Sequence, residues 1–377
     1  IYTLSLHDAL PISVATLASA QTIYRAGDLD EAAKRFSRVL QQGDKASATE
    51  AAHWMATIAL RKGKPDAAVN VASKQIAAGT EGPYAVTLQM DLAEATMLVG
   101  GKTEEAMKLF RELFTQSPQS PEAPRALYNA AFAAMQLGKY QESAQWAAEF
   151  VAKFPGDSLM PDVRYIVAES KLMTGSSEAA ADDYLKLVDD PASKEKVQLP
   201  LWVMRAATAL SLSGKSDRAI ELLEKNAPAF SPIQQAEAAF MAGTLHLTAG
   251  RSSEAIQAFE KALAVEPNWP RSDEARLQLG QAHLIGGDEA KAAAQWQEVT
   301  KQFPKSPRSD QARYRLAQAS ARANDYATAV QRFDELLASG LDPSLRPFAL
   351  YGRSWNLMRS DKATDALKSL DQLTKDH

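Results

Sequence analysis

Two histidines are the first residues whose type and spacing could support chemistry. His246 and His283 lie 37 residues apart, and each follows a glycine by three residues. In stacked repeats such imidazoles would lie on neighbouring units, where two of them could share a metal ion. The chain has no cysteine, and no obvious carboxylate ligand accompanies the pair. Because two imidazoles alone make a poor zinc site, we predict packed or hydrogen-bonded histidines and no metal.

The acidic pairs of the chain do not form an acid–base couple. Asp182 and Asp183 are adjacent in sequence, as are Asp189 and Asp190, and neighbours on a helix point about 100° apart. The sequence also contains no phosphate-binding Gly-x-x-x-x-Gly-Lys loop, no Gly-x-Gly-x-x-Gly, no His-Glu-x-x-His and no Gly-x-Ser-x-Gly. We therefore predict a protein with no catalytic residue and no cofactor, which is not an enzyme.

Aromatic residues at the same 37-residue spacing are a better candidate for function. Four residues beyond several of them, on the same helical face, further aromatic, Gln and Thr residues follow. Aromatic rings offer a large contact area at low entropy cost, and Gln and Thr add hydrogen bonds. The candidate partner-binding residues are Tyr128, Phe132, Tyr165, Phe240, Tyr314, Tyr351 and Trp355. The alternative interpretation is that these tyrosines simply pack between helices.

These spacings arise from an internal repeat. A glycine, twice replaced by Asn or Asp, returns every 36–39 residues, at Gly27, Gly63, Gly101, Gly138, Gly175, Gly214, Gly250, Gly287, Asn324 and Asp361. Five residues after each of these anchors comes a small residue, nine times Ala and once Ser143. A small residue at a fixed offset indicates a place where two helices touch closely. Amphipathic segments, such as 124–137 and 273–285, precede the anchors, so each unit is predicted to be helix, turn, helix and loop.

The second helix of each unit has its own pattern. Four residues after the small residue, eight units carry a bulky side chain, and the other two carry Ala72 and Ala147. The i, i+4 spacing places both residues on one helical face. A proline such as Pro155 or Pro304 then ends the helix. One helix pair cannot bury its own apolar face, so neighbouring pairs must stack on it.

The residues that carry a family resemblance are, in the eighth unit, Leu279, Gly280, Gly287, Ala292, Trp296 and Pro304. This pattern resembles the tetratricopeptide repeat, and the resemblance extends over residues 13–377. It implies an all-α, right-handed superhelical solenoid of about ten helix–turn–helix repeats. In that family the first-helix positions of the aromatic residues line a concave groove that holds a peptide or a partner helix. The repeat here is about three residues longer than the usual 34, with the additional residues in the loops between repeats.

The loops FPGDS (154–158) and FPKSP (303–307) resemble those of a bacterial subgroup of the family. That subgroup includes the periplasmic Tol–Pal coordinating protein and the outer-membrane-protein assembly lipoprotein. The resemblance implies a protein–protein interaction scaffold in the bacterial cell envelope, in the periplasm or at the outer-membrane periphery. The alternative is a cytoplasmic regulatory arm of a larger kinase, transcription regulator or enzyme.

Composition narrows the class of partner. With 42 basic and 46 acidic residues, the net charge is −4, so nothing favours a phosphate backbone and we expect no nucleic-acid partner. No run of eighteen apolar residues is present, so no membrane span is predicted. We expect a protein or peptide partner.

Residues 1–12, IYTLSLHDALPI, can be back-translated codon by codon into a string that resembles the end of a common short-read sequencing adaptor. We therefore interpret them as an artefact and not as native sequence. Residues 13–377 are expected to form one continuous array that was cut from a longer protein at both ends.

Overall fold

The computed structural model describes residues 12–376. In this part of the chain α-helices follow one another in tandem without a β-strand, which confirms the predicted all-α repeat solenoid. Of residues 1–12, which we interpret as an artefact, only Ile12 lies within the described part.

The chain divides into two compact units, with the boundary between Lys196 and Val197. The described part of the first unit contains α1 (Ile12–Arg25), α2 (Leu29–Gln42), α3 (Lys45–Arg61), α4 (Pro65–Ala78), α5 (Ala85–Leu98), α6 (Thr103–Gln116), α7 (Ala123–Gln136), α8 (Tyr140–Lys153), α9 (Met160–Met173) and α10 (Ser177–Asp189). The second contains α11 (Leu199–Leu212), α12 (Ser216–Asn226), α13 (Pro232–Thr248), α14 (Ser252–Val265), α15 (Ser272–Ile285), α16 (Glu289–Gln302), α17 (Pro307–Arg322), α18 (Tyr326–Ala338), α19 (Arg346–Arg359) and α20 (Ala363–Asp376). The described part of each unit therefore holds five repeats. The division falls in residues 190–198, a longer connection than the six residues between α8 and α9.

Each repeat turns at its anchor residue, which has a positive φ in all ten repeats. In the second repeat Gly63 has φ 66°, and the N–H of Lys64 donates to the carbonyl of Ala59 at 2.9 Å. This hydrogen bond closes a Schellman motif and ends α3, because a left-handed residue cannot continue the helix. Asn324 and Asp361 adopt the same conformation, with φ 61° and 58°.

The small residue after each anchor is buried where two helices cross. All ten of these residues are at most 2% exposed. One turn later the ring of Trp296 is 1% exposed, and its Nε1–H donates to the carbonyl of Leu277 at 3.2 Å. The indole of α16 thereby fixes the position of α15, as the i, i+4 pattern predicts.

The Phe-Pro loops have a structural role. Ser117, Phe154 and Phe303, each followed by proline, end their helices with nearly the same φ and ψ, between −133° and −125° and between 54° and 57°. The ring of Phe154 packs edge-on against Phe114 and Phe150, at centroid distances of 6.3 and 5.3 Å. The motif therefore stops the helix and adds an aromatic ring to the core of the first unit.

Candidate functional site

The second unit presents a row of aromatic side chains on α17 and α19. Phe348, Tyr351 and Trp355 are 60%, 58% and 50% exposed, and their spacing of three and four residues places them on one face of α19. Tyr314 of α17 lies half-buried beside Phe333, with ring centroids 5.9 Å apart. We call Tyr314, Phe348, Tyr351 and Trp355 the C-terminal aromatic face.

Two cavities lie along this face. One, of about 280 Å³, is lined by Tyr314, Tyr351 and Trp355 together. The other, of about 520 Å³, is lined by Gln281 of α15, Tyr314 and Phe348. Because Tyr314 and Gln318 line both, the two cavities form one recess across α15, α17 and α19, which we call the aromatic recess. Three of the residues predicted from the sequence are thus brought together here.

Two amide oxygens in the aromatic recess lack a hydrogen-bond donor. Asn356 is 2% exposed, and its Nδ2 donates to the carbonyl of Gly352 at 2.7 Å. Its Oδ1 is buried without a partner in the described structure, and so is the Oε1 of Gln281. Buried polar atoms are normally paired, so both oxygens are unsatisfied acceptors at the wall of the recess.

The charge around the aromatic recess is positive. Arg315 and Arg322 line it, and the guanidinium of Arg359 lies 5.7 Å from the Trp355 ring centroid. Arg322 contacts Glu289 at 3.7 Å, whereas no ion pair with a described residue engages Arg315 or Arg359. Two guanidinium groups are therefore free to attract a carboxylate.

The predicted aromatic residues of the first unit are less accessible. Tyr128 and Phe132 stack at 6.1 Å and, like Tyr165, are half-buried against the core of α6 to α9. Tyr165 also lies 6.1 Å from Tyr184. Burial, followed by the charge of Asp162, raises the pKa of Tyr128. These three rings therefore pack between helices of the first unit, and their role in partner binding stays a prediction.

Phe240 is not on the surface. It is 3% exposed because Phe259 and Trp269 pack against its ring, at 5.7 and 6.2 Å, and the guanidinium of Arg271 lies 4.2 Å above it. The sequence placed it among the groove residues because it lies ten residues before its anchor glycine, as Tyr314 and Tyr351 lie ten residues before theirs. The loop before α15 covers that position in this repeat.

The histidines are packed. His283 is 5% exposed and His246 is half-buried, and burial lowers the pKa of both imidazoles. No group of three potential metal ligands occurs among residues 12–376. None of the helices in this range combines the length and the apolar composition that a membrane crossing requires.

One carboxylate of each acidic pair contacts a basic side chain. Asp183 pairs with Lys171, and Asp190 pairs with Arg164 at 2.7 Å. Each of these carboxylates thus contributes to a surface ion pair, as expected for a solvated helix face.

Sequence reasoning missed one polar pair. The Nδ1 of His53 lies 2.6 Å from the Oδ2 of Asp91, with both side chains largely buried. Each residue lies ten positions before its anchor glycine, Gly63 or Gly101, which is the tyrosine position elsewhere. The spacing of the repeat therefore already placed both residues at the position that carries tyrosine in other repeats. The pair ties α3 to α5.

Comparison with known proteins supports the repeat assignment. A family model described as tetratricopeptide repeat matches residues 17–83, 98–158, 240–307 and 288–345, which together exceed half of the chain. No match was found among curated protein sequences.

Solved structures of similar fold include several repeat proteins. The C-terminal part of a TPR repeat-containing protein from Cytophaga hutchinsonii is 13% identical, with a TM-score of 0.53 over 69% of this chain and 98% of that chain. A tetratricopeptide repeat protein from Parabacteroides merdae is 18% identical over 72% and 98%, with a TM-score of 0.48. A human IFIT1 dimer with m7Gppp-AAAA is 14% identical over 97% and 90%, with a TM-score of 0.41. At 13% identity the likeness to the Cytophaga hutchinsonii protein concerns the fold alone.

Proposed function

Because the chain belongs to the tetratricopeptide-repeat family, whose repeats generally mediate protein–protein interaction, we propose that it is a non-enzymatic scaffold that binds a partner segment in the aromatic recess of its second unit. The observation that carries the proposal is the single cavity lined by Tyr314, Tyr351 and Trp355. A half-exposed Tyr and a half-exposed Trp at one cavity are costly to leave in water and are typical anchors of protein interfaces.

The chemistry of the recess favours an extended acidic peptide. The unpaired Oδ1 of Asn356 and Oε1 of Gln281 accept hydrogen bonds, which backbone N–H groups of an extended segment supply. Arg315 and Arg359 supply positive charge that no described carboxylate neutralises, so an acidic side chain beside an apolar one is the best complement.

Selection from a displayed library of random peptides tests this proposal. We expect enriched sequences to combine Asp or Glu with an apolar residue. Changing Tyr351→Ala together with Trp355→Ala should weaken their binding at least about tenfold, since truncated interface anchors cost about 2 kcal/mol or more. Tyr314→Ala with Tyr351→Ala should also weaken binding, but Tyr314 packs on Phe333 and its loss also affects the core.

The matched control is Leu367→Ala, which removes a 58% exposed apolar side chain from α20 outside the recess. It should leave binding unchanged. Equal weakening by Leu367→Ala and by the double variant, or equal loss of helicity and binding in the double variant, would contradict the proposal.

We also propose a bacterial cell-envelope setting for the scaffold, either the periplasm or the outer-membrane periphery. The support is the likeness of loops 154–158 and 303–307 to the envelope subgroup. Reading the gene through both ends and fractionating cells that express its tagged product tests this. An exported product supports the envelope setting, whereas a cytoplasmic product fused to an effector domain identifies a regulatory arm instead.

A further inference from the structure

A separate cavity of about 280 Å³ lies among α12, α13 and α14. It shares no residue with the aromatic recess. Its apolar wall consists of small side chains of α13, which are Ala238, Ala239 and Ala242, together with Leu223 of α12. The three alanines are at most 9% exposed, so the cavity penetrates the layer that normally holds the core between neighbouring repeats.

Two alanines that line the cavity stand where the next repeat carries larger side chains. Ala242 occupies the position that Leu279 and Leu316 take in the next two repeats, 37 and 74 residues later. Both leucines are buried, at 2% and 7% exposure. Ala239 likewise stands where Arg276 is found in the eighth repeat. Alanine also occupies the position of Ala242 in three other repeats, as Ala93, Ala130 and Ala206, so the open volume depends on the packing of the neighbouring helices and not on this residue alone.

The shorter helix α12 widens the gap. It ends at Asn226 after 11 residues, whereas α14 and α16 each have 14. A 3₁₀ turn, Ala227–Ala229, follows it, and Ala227 lines the cavity. The opening therefore arises from the sequence of both repeats that border it.

One polar atom at the cavity has no partner. His246 lines the cavity, and its Nδ1 is buried without a hydrogen bond in the described structure. Burial lowers the pKa of the His246 imidazole and so favours its neutral form, and in the tautomer protonated at Nε2 the Nδ1 atom accepts a hydrogen bond. A donor on a bound molecule would satisfy it.

The charged side chains around the cavity are mostly acidic. Glu224, Glu254 and Lys261 line it, and none of the three takes part in an ion pair with a described residue. The nearby Arg251 is engaged by Asp217 at 2.7 Å. Two unpaired carboxylates against one ammonium group favour a cation over an anion.

We propose that this cavity binds a small amine whose apolar body is about the size of one aromatic ring. Engineered apolar cavities of about 150 Å³ already hold benzene, so about 280 Å³ accommodates a ring with a short side chain. The ring packs on the alanines, and the ammonium group donates to His246 Nδ1 and to a carboxylate of Glu224 or Glu254.

Titration with phenethylamine tests the proposal, with the alanine methyl groups of the whole protein observed by NMR. We expect saturable shifts of Ala238 and Ala239, with a dissociation constant on the order of 1 mM for so small a ligand. The neutral 2-phenylethanol should bind more weakly, and phenylacetate more weakly still. Absence of a saturable shift, or equal binding of phenylacetate and phenethylamine, would overturn the proposal.

Two sets of variants locate the ligand. Ala242→Leu copies Leu279 and Leu316 and should reduce phenethylamine affinity at least tenfold while maintaining or raising the unfolding temperature. Glu224→Gln with Glu254→Gln leaves the core intact and should weaken phenethylamine but not 2-phenylethanol. Glu260→Gln removes an exposed charge of α14 that does not line the cavity, and it is the matched control. Unchanged affinity in both Ala242→Leu and the double glutamine variant would identify the cavity as a packing gap.

Discussion

The indole of Trp296 lies so close to the backbone of Gly280 that a methyl group at residue 280 would stand 2.7 Å from its Cδ1 atom. The same relationship connects Gly243 with Phe259, where the distance would be 2.8 Å. In both repeats the ring of the second helix occupies the space that a side chain of the first helix would need. The distance between the two helices therefore depends on glycine.

Gly280→Ala should lower the free energy of unfolding by about 1–3 kcal/mol, because the added methyl group forces the indole or the helix to move. Chemical denaturation followed by circular dichroism measures this. Gly100→Ala is the control, since no heavy atom lies within 4 Å of the added methyl group and the φ of Gly100 is not positive. If both variants behave alike, the contact does not set the helix spacing.

Asp361→Gly should stabilise the chain by about 0.5–1 kcal/mol. Asp361 has φ 58°, a conformation that costs free energy for any residue with a Cβ. The reverse change, Gly287→Asp, should destabilise by a similar amount, because Gly287 has φ 85°. Thermal unfolding shows whether the melting temperature of each variant rises or falls. A change in the same direction for both variants would contradict this account of the turn.

The aromatic residues should separate into two classes by their effect on stability. Phe240→Ala is expected to cost about 3–5 kcal/mol, since the ring is 3% exposed. Tyr351→Ala should cost only about 0.5 kcal/mol, because a ring that is 58% exposed loses little packing when it is removed. Urea unfolding of both variants measures the difference. A large loss for Tyr351→Ala would mean that this ring is structural.

Stability should fall in mild acid because of the buried histidines. Burial lowers the pKa of His283 below its ordinary 6.5, so the unfolded chain takes up a proton more readily than the folded one. The contribution of His283 is therefore complete above about pH 6.5 and is lost as the pH falls towards the lower folded value. His283→Gln should reduce the loss of unfolding free energy between about pH 7.5 and pH 5.5, measured by urea titration. An unchanged loss would show that other groups cause it.

The repeat, its turns and its buried small residues could be predicted from the sequence because they depend on local spacing. The accessibility of the aromatic residues could not. Phe240 shares its register with Tyr351, but Trp269 from the following loop covers only the first of them. Phe348 was not predicted, because it lies at neither of the two helical positions, those of Tyr351 and Trp355, from which the candidate residues were chosen. The division into two units, and the cavity beside Ala242, depend on how neighbouring repeats pack.

Site-specific photocrosslinking tests the central claim of a binding site in the aromatic recess most directly. Benzoylphenylalanine would replace Phe348 in one sample and Leu367 in a matched sample, each mixed with an acidic peptide selected from the library. We predict a crosslink from position 348 and none from position 367, with mass spectrometry locating the peptide on α17 and α19. Equal crosslinking from both positions, or crosslinking from position 367 alone, would contradict the account.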